Sequence, residues 1–275
     1  MQWAGLAESP RTTYAYVSAP LKPNNFTPHN PSLRTSEGIV RNPEIKTGKL
    51  KHALGGIVLA DQYGAFRQIK TAVTYSLHLP VAEGYNLAFG TNLGISNRAF
   101  LSDKATVHTV MTNSGTADNV YDQFLTNQGN QNTMDLGLGL HFYSKKMFIG
   151  ISADQVTQDF VKFGNTAVTF APGLHLYGTA GFKFQLNDNF TLMPTVLAKY
   201  IAPAPVSIEG TLQLEYKEWM WMGLAYRNED AVIAMFGMNI NERFKFGYSY
   251  DYTISRLTNY SSGGHELVLG LMLGR

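Results

Sequence analysis

The side chains of this chain best suited to chemistry are charged residues crowded into its last third: Glu215, Lys217, Arg227, Asp230, Arg243, Lys245, Asp251, Arg256 and Glu266. Acid and base mixed at this density supply ion pairs, and opposite charges on adjacent strands pair and fix register. Catalysis would need more than that. There is no phosphate-binding P-loop and no paired-glycine dinucleotide fingerprint. His265-Glu266 is followed by Leu-Val-Leu, so the metalloprotease pattern lacks its second histidine. No Gly-x-Ser-x-Gly nucleophile elbow occurs. The seven histidines (His29, His52, His78, His108, His141, His175 and His265) show no metal-ligand spacing. With no cysteine, thiol catalysis, disulfides and thiolate metal sites fall away together. A net charge of +2 gives no electrostatic case for nucleic acid. The expectation is therefore a protein that is not an enzyme and holds no metal or cofactor. Its charges either brace an interior or meet a protein partner.

The elements that position these charges are strands. Residues 243–252 read Arg-Phe-Lys-Phe-Gly-Tyr-Ser-Tyr-Asp-Tyr. Period two puts Phe244, Phe246, Tyr248, Tyr250 and Tyr252 on one face and Arg243, Lys245, Ser249 and Asp251 on the other. Three further segments repeat this division. Leu136, Leu138, Leu140 and Phe142 oppose Asp135, Gly137, Gly139 and His141. Leu212, Leu214 and Tyr216 oppose Gln213, Glu215 and Lys217. Leu267, Leu269, Leu271 and Leu273 oppose Glu266, Val268, Gly270, Met272 and Gly274. A soluble half-buried sheet explains one such strand, but an apolar face against a polar face in four of them is the pattern of a transmembrane β-barrel, lipid outside and polar lumen inside. Composition agrees: apolar content is 44% while mean hydropathy is only −0.13, and no run approaches the ~18 apolar residues of a membrane helix.

The fold class expected is all-β, one antiparallel transmembrane β-barrel domain over 1–275. About thirteen strands are legible, near 12–21, 52–61, 68–79, 85–96, 133–143, 146–154, 173–185, 189–200, 206–216, 219–227, 230–239, 243–253 and 265–274. Their connections fall into two alternating sets. One holds tight turns at 80–84, 144–145, 186–188, 217–218 and 240–242. The other holds 62–67, 97–132, 155–172, 201–205, 228–229 and 254–264, which are mostly longer. Short periplasmic turns and long outer loops are the usual asymmetry of such barrels, which makes 97–132 a long extracellular loop. Residues 22–50, a long polar insertion rich in Pro, Asn and Lys/Arg, break the pattern on the short-turn side. Single-chain bacterial barrels have even strand counts, so about fourteen strands are expected, with one ahead of Met1. Residues 1–20 carry no basic segment followed by an apolar core, so a signal peptide is expected in a longer full-length protein.

The C-terminal motifs add a family to this reading. Ser207-Ile208-Glu209 with Leu212-Gln213-Leu214-Glu215-Tyr216, then Trp221-Met222-Gly223-Leu224-Ala225-Tyr226-Arg227 leading to Asp230-Ala231-Val232, Gly247-Tyr248-Ser249-Tyr250-Asp251-Tyr252-Thr253, and Leu257-Thr258-Asn259-Tyr260-Ser261-Ser262-Gly263-Gly264-His265-Glu266 form a long and specific run. In it the chain resembles the PorP/SprF outer-membrane proteins of the type IX secretion and gliding machinery. Gln2-Trp3-Ala4-Gly5 is similar to the loop that follows that family's first strand, while 98–172 matches only in its alternation. The chain departs from the family in the length of 22–50 and in ending on Gly274-Arg275 instead of an aromatic. The resemblance implies a non-enzymatic component of the bacterial outer membrane that helps deliver or anchor surface adhesins. Its implied partners are a secreted adhesin's C-terminal domain, the periplasmic ring or peptidoglycan-linked lipoproteins, and outer-membrane lipid. A porin-like channel for small solutes is the competing reading. The residues singled out as lumen or partner contacts, all in or beside the matched motifs, are Arg227, Asp230, Asp251, His265, Glu266 and Glu215.

Overall fold

The computed structural model describes residues 9–21, 50–101, 104, 130–158, 162–163, 173–259 and 261–272. The 22–50 insertion but for its last residue, most of 97–132 and of 155–172, the Gln2-Trp3-Ala4-Gly5 motif, Leu273 and the Gly274-Arg275 terminus lie outside them.

Almost every described residue is in a strand or a turn. The strands are β1 (Arg11–Pro20), β2 (Lys51–Tyr63), β3 (Phe66–Ala82), β4 (Tyr85–Phe100), β5 (Asn130–Ser144), β6 (Met147–Asp154), β7 (Lys162–Phe163), β8 (His175–Phe182), β9 (Phe184–Gln185), β10 (Phe190–Ile201), β11 (Ser207–Tyr216), β12 (Met220–Arg227), β13 (Ala231–Asn239), β14 (Phe244–Thr253) and β15 (Gly264–Leu271). One short 3-10 turn, Arg256–Asn259, interrupts the loop before β15. All fifteen join one sheet. Its continuous path runs β1-β2-β3-β4-β5-β6-β8-β10-β11-β12-β13-β14-β15, with β7 on β5 and β9 on β10. Every ladder is antiparallel. The chain simply goes up and down, which tight alternating turns permit and parallel pairing would not.

The strand period sorts residues onto two faces with opposite surroundings. On β12 Trp221, Gly223, Ala225 and Arg227 are buried while Met222, Leu224 and Tyr226 are exposed. On β13 Ala231, Ile233, Met235 and Gly237 are buried and Val232, Ala234 and Phe236 exposed. The register carries this division across the sheet. Thr211 faces Ala225, Ala225 faces Ile233, and Ile233 faces Asp251. On the exposed face Leu269 is 74% accessible and Leu224 64%, whereas Ile233 and Gln213 on the other are at 0%. A belt of exposed Leu, Ile, Val, Phe and Tyr on most of the long strands is far more apolar surface than a soluble domain presents. It is what the lipid-facing side of a membrane sheet requires.

The sheet curls toward its polar face until its ends meet there. Tyr14 on β1 donates its hydroxyl to Glu266 Oε1 on β15 at 3.5 Å, and both side chains belong to the inner face by register. This geometry is consistent with a β-barrel. The strands β2 to β5, at 13, 17, 16 and 15 residues, exceed the 8 to 10 of β12 to β15. Their extra length lies at the end away from the short turns, where β4 continues to Phe100 and β5 starts at Asn130. That flank stands taller by roughly 15–20 Å at ~3.3 Å per residue.

Candidate functional site

The charges of the last third converge on one guanidinium. Arg227 ends β12, and a tight turn through Asn228 and Glu229, the latter at φ 57, returns the chain as β13. That turn sets Asp230 within reach of the side chain it follows. Arg227 Nη1 donates to Asp230 Oδ2 at 2.8 Å. Its Nε and Nη2 both reach Glu209 Oε2, at 2.9 and 2.8 Å. Nη2 also donates to Asp251 Oδ2 at 3.3 Å. Glu209 is its direct register partner on β11, but Asp251 is on β14, one strand beyond β13. The pair therefore passes over the inner side of β13 between Ala231 and Ile233, which are 3% and 0% exposed. Small and apolar residues at these points let the guanidinium lie along the wall. The ionic groups are themselves shielded: side-chain exposure is 9% for Arg227, 4% for Glu209 and 10% for Asp251, against 38% for Asp230.

A second hub of the same kind lies across β3 to β6. Lys70 Nζ on β3 sits 3.1 Å from Asp135 Oδ2 on β5 and 3.3 Å from Asp154 Oδ1 on β6. Asn92 of β4 donates to the same Asp154 oxygen at 3.1 Å. The bridge crosses the intervening strands at Gly94 and Gly137, both in register with inner-face residues. A Cβ on Gly137 would run into Asn92 Nδ2 and Asp154 Oδ1, so a side chain here would push that pair aside.

The six residues singled out from sequence go to four places. Arg227, Asp230 and Asp251 meet in the first hub. Glu266 is on the inner face of β15 opposite Ser249, where it receives the Tyr14 hydroxyl. His265, its neighbour in sequence, necessarily points the other way. It lies on the outer face, with Nδ1 2.7 Å from the Tyr248 hydroxyl and its ring 5.0 Å from that of Tyr250. Glu215 is on the inner face at the short-turn end of β11, beside Trp221 and away from Arg227. Sequence reasoning passed over Glu209, Lys70 and Asp154 as site residues. The parity of Asp135 was plain, but its partner lies two strands away and comes from no local pattern.

These arrangements brace a wall more than they prepare a reaction. A guanidinium facing three carboxylates has no proton to offer at neutral pH, and Lys70 is committed to two carboxylates. Ser76 Oγ lies 3.3 Å from His78 Nε2, with His78 Nδ1 2.8 Å from the Tyr143 hydroxyl. Ser76 is paired on both sides, with Ala53 of β2 and Gly90 of β4, so its backbone lies in the ladder and does not form the sharp, exposed turn of a nucleophile elbow. Among the described residues no group of three His, Cys, Asp or Glu could hold a metal ion.

Comparison with known proteins supplies the assignment. A family model described as "Type IX secretion system membrane protein PorP/SprF" matches residues 1–271. No match is found among curated proteins.

Proposed function

The chain belongs to the PorP/SprF family of type IX secretion system membrane proteins, and on that premise we propose that it is a non-enzymatic outer-membrane scaffold that helps deliver or anchor surface adhesins. In this reading its outer face meets outer-membrane lipid, its longer loops meet the C-terminal domain of a secreted adhesin, and its short turns meet periplasmic subunits of the machine. The observation that carries it is the state of the inner-wall charges. Arg227, Glu209, Asp251, Lys70 and Asp135 are nearly sealed from solvent and spent on one another. A selectivity lining works with charges held in water along a path. Charges shielded by their own partners support a rigid wall that presents loops.

The test is surface display. Deleting the gene should remove one class of large adhesin from the cell surface, and restoring the intact full-length gene should bring it back. Unchanged surface proteins together with ion conductance of the purified protein in planar bilayers would refute the scaffold and favour a porin-like channel.

A further inference from the structure

The outer face carries a concave feature of about 300 Å³ at the short-turn end, formed by Phe190, Leu214, Tyr216, Met220 and Met222, with the inward-turned Trp221 between the last two. Register explains its shape. Phe190, Tyr216 and Met220 lie side by side across β10, β11 and β12, and Leu214 lies beside Met222 one pair further in. Its lining is apolar. Its rim is not. The turn joining β11 to β12 holds Lys217 and Glu218 in left-handed conformations at φ 48 and 54. This turns Lys217 back so that Nζ stands 5.4 Å from the centroid of the Tyr216 ring. Trp219, next in the turn, is 52% exposed. A lysine, a tryptophan and a tyrosine at the mouth of an apolar groove are the side chains that occupy a membrane–water boundary.

We propose that this groove binds one phospholipid of the membrane leaflet nearest the short turns. An acyl chain runs along Phe190, Leu214, Met220 and Met222, and Lys217 holds the phosphate. Glu218 follows Lys217 in that turn, so the turn carries a cation and an anion together. That pair complements a head group bearing phosphate and ammonium, phosphoethanolamine over phosphoglycerol. Size agrees with a lipid chain: three strands ~4.8 Å apart make a groove roughly 10 Å across, too narrow for a helix of about 10–12 Å to sink into.

The inference rests on the membrane placement, and one experiment separates the two. The full chain is folded into liposomes of equimolar phosphatidylethanolamine and phosphatidylglycerol, extracted in mild detergent and weighed intact by native mass spectrometry. The expected result is a phosphatidylethanolamine adduct retained at least about fivefold over phosphatidylglycerol, a difference of about 1 kcal/mol. Lys217→Asn, a residue that tolerates the left-handed turn, should abolish that preference. Met222→Trp, which fills the groove and leaves Lys217 in place, should remove the adduct. A folded chain carrying the two lipids equally, a preference for phosphatidylglycerol, or adducts unchanged in both variants would overturn the lipid site alone. A chain that stays in the aqueous fraction would overturn the membrane placement with it.

Discussion

Replacing Arg227 by alanine tests the buried hub most directly. The variant leaves Glu209 and Asp251 facing each other's field with side chains only 4% and 10% exposed. Removing one partner of a buried pair costs about 3–5 kcal/mol, because the remaining charge is stranded in a poorly hydrated site. The Asp230 arm is 38% exposed, so its loss adds only ~0–1 kcal/mol. The expected total is about 3–5 kcal/mol. With an m-value near 3 kcal/mol/M, the urea midpoint falls by roughly 1–1.7 M. The assay is reversible urea unfolding of the chain in liposomes, followed by tryptophan fluorescence; Trp221 on the same strand reports on the hub's surroundings. The decisive control is the triple variant Arg227→Met, Glu209→Gln, Asp251→Asn, which removes the stranded charges and should recover most of the loss. If Arg227→Ala lies within about 1 kcal/mol of the unaltered protein, or the triple variant is no better than the single, the hub does not hold the wall and the reasoning fails.

Two further outcomes follow from the second hub. Lys70→Met should lower stability by about 3 kcal/mol in the same titration, since it strands Asp135, whose side chain is 3% exposed; an unchanged midpoint would show that this ion pair does not hold the wall. Gly137→Ala should disrupt the Asn92–Asp154 contact and cost about 1–3 kcal/mol. Gly139→Ala, whose Cβ meets nothing nearer than 3.6 Å, should stay within about 0.5 kcal/mol. Equal effects of the two alanines would refute the close-approach argument.

What the sequence made legible was whatever depends on period two and on turn chemistry. The aromatic row from Phe244 to Tyr252 is on the outer face and Lys245, Ser249 and Asp251 are on the inner, as the alternation required. All thirteen expected strands occur along the path, with bounds shifted by a few residues. The differences have physical causes. The 62–67 loop contracts to a turn around Gly64 at φ 55, which lets β2 and β3 pair as far as Tyr63 and Phe66. The 173–185 strand breaks at Lys183 into β8 and β9, and the two-residue β7, pairing only with β5, is too short to leave a periodic signal. The site was legible to the extent that it is local. Asp230 follows Arg227 by three residues and Asp251 shares a motif with its strand, whereas Lys70, Asp135 and Asp154 join through side chains reaching over β4 and β5. Nothing in strand periodicity specifies that reach.

The two hubs also divide the wall mechanically. One clamps β3 through β6 and the other β11 through β14, so each set of four strands resists shear as a stiff plate. Between the plates lie β8 and β10, where the ladder is interrupted at Lys183, and on the far side lies the side-chain contact between Tyr14 and Glu266. Side-chain ion pairs thus tie together two separate sets of strands, and the strands outside those sets are joined to them through the backbone ladders. A substitution in one hub would therefore loosen its own four strands and leave the other hub's ion pairs in place.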